Sequence, residues 1–401
     1  MKRGKLMTAF IAAILIISSC GQAWNGKKDD TKAKYIFLFI GDGMGANHVA
    51  TAESYLSYKS GKIGGEQLVF TTFPYHGTAT NFSANRHVTC SAASGTAIAC
   101  GSKTDNGKLG MDKDGNALKS VAKELKEDGY KIGIITTVPI NHATPGAFYA
   151  SVPYRGDYYE VSCQLPESGF EFFAGSGFID FRGKKNDMQP IDAYIQEHGY
   201  KVCYGIEEFN ARPDSTCKVV FCQESNREES ADNYVSEGKK TEDATLAQML
   251  TLGMEFIGSG SAFFFMCEGG KIDWTAHDNR TMPMVADVLE MNDAVEVAYR
   301  FYLEHPDETL IIVTADHETG GLSLGCGNET VNWERLESQW LADGKKNTLD
   351  RESNEKMNKE CSIGWTTHSH TGTPVPVYAI GKGSEKFSGR IDNTDIKGKI
   401  L

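Results

Sequence analysis

The sequence predicts an α/β fold with three layers, a mostly parallel central sheet flanked by helices. Three observations predict it. The runs Tyr35 to Ile40, Ala262 to Cys267 and Thr309 to Val313 are apolar and β-prone, as strands covered on both faces should be. Amphipathic helical stretches alternate with such runs, which is the pattern of βαβ units. Each run then ends on acids or imidazoles: Phe39-Ile-Gly-Asp42-Gly-Met, Glu268-Gly-Gly-Lys-Ile-Asp273-Trp-Thr-Ala-His277 and Thr314-Ala-Asp316-His317-Glu. Ligands of open α/β sheets bind outside the carboxyl ends of the strands, so three such ends point to a multi-metal centre.

In chain order, residues 1–19 read as a signal peptide: Lys2, Arg3 and Lys5 precede an apolar stretch, Met7 to Ile17, too short to span a bilayer. The stretch ends Ile17-Ser-Ser-Cys20-Gly, which resembles a bacterial lipobox with Cys20 as the lipidated residue. Residues 20–34 form a polar tether, and residues 35–401 are read as one domain. Helices are expected over Met44 to Ser57, over Ala117 to Glu127 before the strand Ile132 to Thr137, and over Asp192 to Glu197 before Lys201 to Tyr204. Ala244 to Ile257 precedes the Phe263 strand, and Met284 to Leu303, with Pro283 just ahead of it, precedes the Leu310 strand. Gly156 to Arg182 shows no clear periodicity. A polar, charged stretch at about 325–367 reads as a surface insertion, since candidate ligands flank it on both sides.

The formal net charge is −12, and loss of residues 1–19 would remove three positive charges and no negative one, giving −15. No basic run stands out, which argues against nucleic acid as a partner. A phosphate-handling site here would have to create its positive potential locally, as metal ions do. Nine cysteines follow Cys20. Cys163, Cys203, Cys217 and Cys222 fall in one region and could form one or two disulfides, and no Cys-x-x-Cys pair suggests a zinc ribbon.

Asp273 and His277 are four apart and would share a helical face as a metal grip. Singly, an Asp after a strand reads as a helix cap and a His as a surface residue; acids and imidazoles gathered at strand ends are hard to explain that way. Mixed His and carboxylate ligands suit zinc, and all-oxygen sites suit magnesium. In His368-Ser-His370, spacing alone leaves both histidines as candidates. Ser91, in Arg86-His-Val-Thr-Cys-Ser91-Ala-Ala-Ser-Gly-Thr-Ala, falls at or near a helix start, where free N–H groups favour an anion. It is a nucleophile candidate, with Thr89 and Ser94 as competitors.

Together these motifs resemble the alkaline phosphatase family. Gly-Asp42-Gly-Met, Thr-Cys-Ser91-Ala-Ala-Ser-Gly-Thr-Ala, His142-Ala-Thr144-Pro-Gly with Arg155 downstream, Glu268-Gly-x-x-Ile-Asp273-x-x-x-His277, Thr-Ala-Asp316-His317 and His370-Thr-Gly stand in that family's order and rough spacing. The resemblance runs from about Tyr35 to Ile391-Asp-Asn-Thr-Asp. It implies hydrolysis of phosphate monoesters through a phosphoserine on Ser91, with Arg155 gripping two phosphoryl oxygens. It implies a first zinc on Asp273, His277 and His370 and a second on Asp42, Asp316 and His317. Asp42 would bridge to a third site, usually magnesium, completed by Thr144 and Glu268. It selects His370 over His368, and it implies a homodimer with a small crown-like insertion. With Cys20, the whole reads as an exported lipoprotein, periplasmic or on the cell surface, tied to a membrane by its lipid alone.

Three positions depart from the family pattern. Cys90 stands where many members have Asp; a thiol accepts hydrogen bonds poorly, so Arg155 is expected to be looser. His142 and Trp274 replace an Asp and a Lys found in some members, and both are candidate modulators of the third site. A sulfatase, which converts a Cys to its nucleophile, needs Pro where Ala92 stands and is rejected. The rival readings are a phosphodiesterase or nucleotide pyrophosphatase of the same superfamily, which would lack Thr144, Glu268 and Arg155, and an inactive phosphate-binding surface lipoprotein, which would have lost a ligand or Ser91.

Overall fold

A computed structural model of the protein describes residues 32–226, 243–327, 329–345 and 349–401. The signal peptide, Cys20 and nearly all of the tether lie outside the described residues.

The strands are β1 (Tyr35–Gly41), β2 (Tyr75–Thr80), β3 (Lys131–Thr136), β4 (Phe172–Gly175), β5 (Lys201–Tyr204), β6 (Val219–Cys222) and β7 (Phe263–Gly269), then β8 (Thr309–Ala315), β9 (Glu318–Thr319), β10 (Leu322–Leu324), β11 (Ile363–Trp365), β12 (His370–Thr371), β13 (Val375–Gly381) and β14 (Gly389–Asp392). Ten of them make one sheet in the order β14-β2-β13-β8-β1-β7-β3-β4-β6-β5. Only β13 runs antiparallel to its neighbours, β8 and β2. The β8-β1-β7 centre is the part that the apolar runs predict, and all three strands are buried throughout. Their register is level: Gly41 lies opposite Gly269 on one side and Ala315 on the other. The acids that follow therefore emerge at one height.

Helices 46–59, 246–257 and 281–304 pack on one another and against the sheet, while helices 91–100, 121–127, 143–146 and 395–400 form a second group, giving three layers. Gly156 to Arg182, without readable periodicity, forms the helix Tyr158–Glu167 and strand β4. The helix expected to follow Pro283 starts earlier, at Thr281, and holds Pro283 in its first turn. Proline costs nothing there because first-turn N–H groups have no intrahelical partner. The stretch 325–367 folds as helices Trp333–Ala342 and Arg351–Glu360 with β10–β11 beneath, and it buries Trp333, Leu336, Asn354 and Asn358.

Among the described residues the nine cysteines form no disulfide. Cys203 and Cys222 sit on adjacent strands, but Cys203 pairs with Phe221 and Tyr204 with Cys222. Alternation along a strand thus sends the two thiols to opposite faces, where no disulfide can close.

Two glycines make room for one ring in this core. Gly133 lies opposite Phe265 in the sheet, and a Cβ there would stand 2.2 Å from the Phe265 ring; one on Gly253, in the covering helix, would stand 2.9 Å from it. Gly133→Ala should therefore overpack the core and cost roughly 1–3 kcal/mol, read as a lower urea midpoint at fixed divalent-metal concentration. Adding Phe265→Leu should recover part of the loss; an unchanged midpoint for Gly133→Ala would show that the ring moves aside freely.

Candidate metal centre

Asp42, Glu268 and Asp316 stand at the ends of the three central strands, and Asp273 and His277 lie on the short helix Lys271–His277 that follows β7. Gly43, at φ +74°, turns the chain after Asp42, and a Cβ there would meet Thr319 Oγ1 at 2.8 Å and the Asp273 backbone at 3.0 Å. Only glycine allows that approach. Asp316 Oδ1 accepts from Gly43 N (3.1 Å) and from its neighbour's His317 N (2.9 Å), and Glu268 Oε2 accepts from the Thr136 hydroxyl.

Three imidazoles stand in a row. His317 stacks on His370 with ring centres 3.5 Å apart, and His277 follows at 5.0 Å from His370. Each has its Nδ1 engaged away from the cluster: His277 on His368 O (2.6 Å), His370 on Thr89 O (2.9 Å) and His317 on Thr319 Oγ1 (3.2 Å). Carbonyl acceptors place the proton on Nδ1 of His277 and His370, and the Thr319 hydroxyl, whose own proton goes to Asp273, accepts from Nδ1 of His317, so each Nε2 is directed inward as a metal ligand needs. His277 Nε2 lies 3.4 Å from Asp273 Oδ2, His370 Nε2 lies 3.5 Å from Asp273 Oδ1, and His317 Nε2 lies 3.3 Å from Asp42 Oδ1 and 3.2 Å from Asp316 Oδ2. His368, the competitor left open by spacing, instead exchanges a backbone contact with His277 and pairs with Glu355 (3.0 Å).

Thr319 was not found by sequence reasoning. Its hydroxyl donates to Asp273 Oδ1 (2.5 Å) and accepts from His317 Nδ1, tying together two candidate ligands 44 positions apart. A threonine two residues after a histidine carries no signal of such a role.

Ser91 opens the helix Ser91–Cys100, every residue of which is buried. Its Oγ lies 3.3 Å from His317 Nε2. The competitors are occupied elsewhere: Thr89 Oγ1 donates to Cys90 O (3.1 Å) and Ser94 Oγ to Asp316 O (2.6 Å). The small residues of this helix admit close packing, since a Cβ on Gly95 would come within 3.3 Å of the Thr144 backbone. Arg155 is not held by Cys90, whose sulfur accepts from Gly107 N (3.2 Å); its Nη2 donates to His142 Nε2 (3.0 Å). His142 in turn meets Trp274 edge-on at 5.9 Å.

Charge decides what this cluster can hold. Burial, with Asp316, Asp273 and Glu268 close by, pushes the Asp42 carboxyl well above its ordinary range. Burial likewise pushes Glu268 up to about 8 and Asp316 up to about 7. Burial also acts to raise Asp273, but its bond to His277 and the charges of the imidazoles outweigh that and hold it low, while His277 rises to about 9 on the same bond. Among the described residues, both oxygens of Asp42, Asp316 Oδ2, Glu268 Oε1 and His142 Nδ1 are buried without a hydrogen bond. The carboxylates among them stay anionic only beside added positive charge. Divalent cations fit, and three overlapping sets of donors lie close enough to hold them: Asp273, His317 and His370; Asp42, Asp316 and His317; Asp42, His142 and Glu268.

The family model described as alkaline phosphatase matches residues 33–174, 228–348 and 333–401. This chain belongs to the alkaline phosphatase family. It is 28% identical to alkaline phosphatase 4 of Bacillus subtilis (strain 168) over 97% of this chain and 93% of that one. The solved alkaline phosphatase of the Antarctic bacterium TAB5 is 30% identical, with TM-score 0.75 over 92% of this chain and 98% of its own. The cold-active enzyme of a Shewanella species is 25% identical, with TM-score 0.78 over 91% and 98%. The chain is accordingly a phosphomonoester hydrolase with candidate metal sites.

Because Thr319 orients two candidate donors, Asp273 and His317, Thr319→Val should leave the fold intact and weaken metal retention by roughly 10–100-fold, measured as metal released to a competing chelator. Thr319→Ser, which keeps the hydroxyl, should restore it. Equal release from the Val variant and the native protein would make Thr319 a packing residue.

Proposed function

We propose that the enzyme transfers the phosphoryl group of its monoester substrate to Ser91 and then to water, at two zinc ions and a magnesium ion. The observation that carries this reading is the Ser91 hydroxyl 3.3 Å from His317 Nε2, at the start of a buried helix and beside three sets of candidate ligands. Asp273, His277 and His370 would hold the first zinc, and Asp42, Asp316 and His317 the second. Asp42, Glu268 and Thr144 would hold the magnesium, with His142 beside them. When bound, the cations keep these carboxylates ionised, favour an ionised Ser91 hydroxyl and offset the charge that develops on the leaving oxygen.

Ser91 Oγ would attack phosphorus in line, forming a P–O bond as the ester bond to the alcohol breaks on the opposite side. The helix start offers free N–H groups to the phosphoryl oxygens. Arg155 would grip two phosphoryl oxygens with its planar fork, and its charge already acts on Asp42, His317 and His370. Water then displaces Ser91 from phosphorus, releasing inorganic phosphate. Ser91→Ala should retain its metals and lose turnover by roughly 10³–10⁶-fold, and acid-quenched native enzyme should carry phosphate on Ser91. Phosphate on Thr89, or on no residue, would overturn the assignment.

His142 sets the character of the third site. Its Nε2 accepts from Arg155, which places its proton on Nδ1, and burial together with Arg155 lowers its pKa to about 3. A neutral ring of that tautomer gives a hydrated magnesium ion a donor where an oxygen would serve better. Solved variants of the TAB5 enzyme, 29% identical to this chain, with a histidine replaced by glutamate or by aspartate, are described with magnesium bound in the M3 site. His142→Asp should tighten magnesium binding, measured calorimetrically on zinc-loaded protein, and Trp274→Lys added to it should tighten inhibition by phosphate. Identical responses in native and variant proteins would make both residues packing.

Lys2, Arg3 and Lys5, the apolar stretch after them and the lipobox-like Cys20 support an exported protein with a lipid anchor, and no helix among the described residues is long and apolar enough to cross a membrane. The family resemblance supports a homodimer, and the polar 325–367 stretch is read as an insertion in a single domain of residues 35–401.

A further inference from the structure

His277 belongs to two features at once. Its Nε2 faces Asp273 and His370, and it also lines a cleft of about 340 Å³ with Asp278, Arg280, Leu349, Arg351, Asn354 and His368. The row of imidazoles fixes the direction of that cleft relative to the chemistry. Ser91 stands against His317, at one end of the row, and His277 stands at the other. In-line transfer expels the leaving oxygen opposite the nucleophile, so the alcohol of the ester points past His277 toward the cleft.

Two arginines line this cleft, each paired with one carboxylate. Arg280 pairs with Asp278 through its Nε (3.3 Å), and Arg351 pairs through its Nε with Glu355 (3.3 Å) while donating to His368 Nε2 (3.0 Å). Among the described residues neither guanidinium uses its two terminal nitrogens, which are the ends that grip a carboxylate or phosphate. Both are carried on fixed backbone. Arg280 N bonds Thr275 O (2.9 Å). Arg351 opens the helix capped by Asp350, and Asn354 and Asn358 of that helix clamp Asn279 O (2.9 and 2.8 Å). The 325–367 stretch thus brings a second arginine to the turn that bears His277.

We propose that this cleft is a leaving-group subsite selecting phosphate monoesters whose alcohol carries a second anionic group, a carboxylate or another phosphate. The inference rests on the phosphomonoesterase reading and specifies its substrate class.

The test compares kcat/KM for 3-phosphoglycerate and glycerol 3-phosphate, which differ by a carboxylate on the alcohol, in the metal-loaded enzyme at low ionic strength. Native enzyme should prefer 3-phosphoglycerate by about tenfold. Arg280→Gln with Arg351→Gln should bring the ratio close to one, and the corresponding Lys pair, which keeps charge but not the fork, should keep part of the preference. If the Gln pair does not fold, Arg351→Gln alone carries the test, since its side chain is 66% exposed, and it should lower the ratio at least about threefold. Native enzyme that hydrolyses an aryl phosphate but treats the two substrates alike, or Gln variants that keep the preference, overturn the subsite and leave the phosphomonoesterase reading standing. Failure to hydrolyse even the aryl phosphate overturns both.

Discussion

Asp42, Glu268, Asp273 and Asp316 are buried together at the carboxyl edge of the sheet, and their mutual repulsion out of contact with water is the problem that the surrounding structure answers. The answer has two parts. Backbone N–H groups and the Thr136 hydroxyl neutralise some of the oxygens, as at Asp316 and Glu268. The remaining oxygens are left bare and inward-facing, which is useful only to cations. Level register across β8, β1 and β7 is what forces this meeting, since a slip of one residue would turn the acids to opposite faces.

The histidines are prepared for the same purpose by what lies behind them. Each is pinned at Nδ1, so that tautomer and ring direction are set before any ligand arrives. Thr319 shares one hydroxyl between Asp273 and His317 and couples two candidate ligands through a single atom. The pin on His277 comes from His368, and the Asn354 and Asn358 amides of the 325–367 stretch fasten the turn that follows His277. That stretch consequently belongs to the site's support as well as to its rim.

Arg155 shows how a substitution in the family pattern is absorbed. With Cys90 unable to hold it firmly, the guanidinium leans on His142, a residue of the third donor set. Phosphate grip and third-site chemistry become linked through one hydrogen bond, which neither position would suggest alone.

Much of this was legible in local pattern. The apolar runs gave the three central strands, the four-residue spacing of Asp273 and His277 put them on one helical face, and the small residues after Cys90 marked Ser91 at a helix start. Those features depend on neighbours within a few positions, which is what periodicity and spacing encode. Gly156 to Arg182 was not legible, because its helix and strand are too short and too aromatic to show a period. His370 could not be separated from His368 by spacing, since two histidines two residues apart differ only in what they reach: Thr89 O for one, Glu355 for the other. The bond from His142 to Arg155, the sharing of Thr319 and the arrival of Arg351 beside His277 were likewise decided in the folded state. The reason is physical: a strand or helix is specified by residues near one another in sequence, whereas the partner of a buried polar group is whichever complementary atom the packed sheet brings within three ångströms, often from a segment hundreds of positions away.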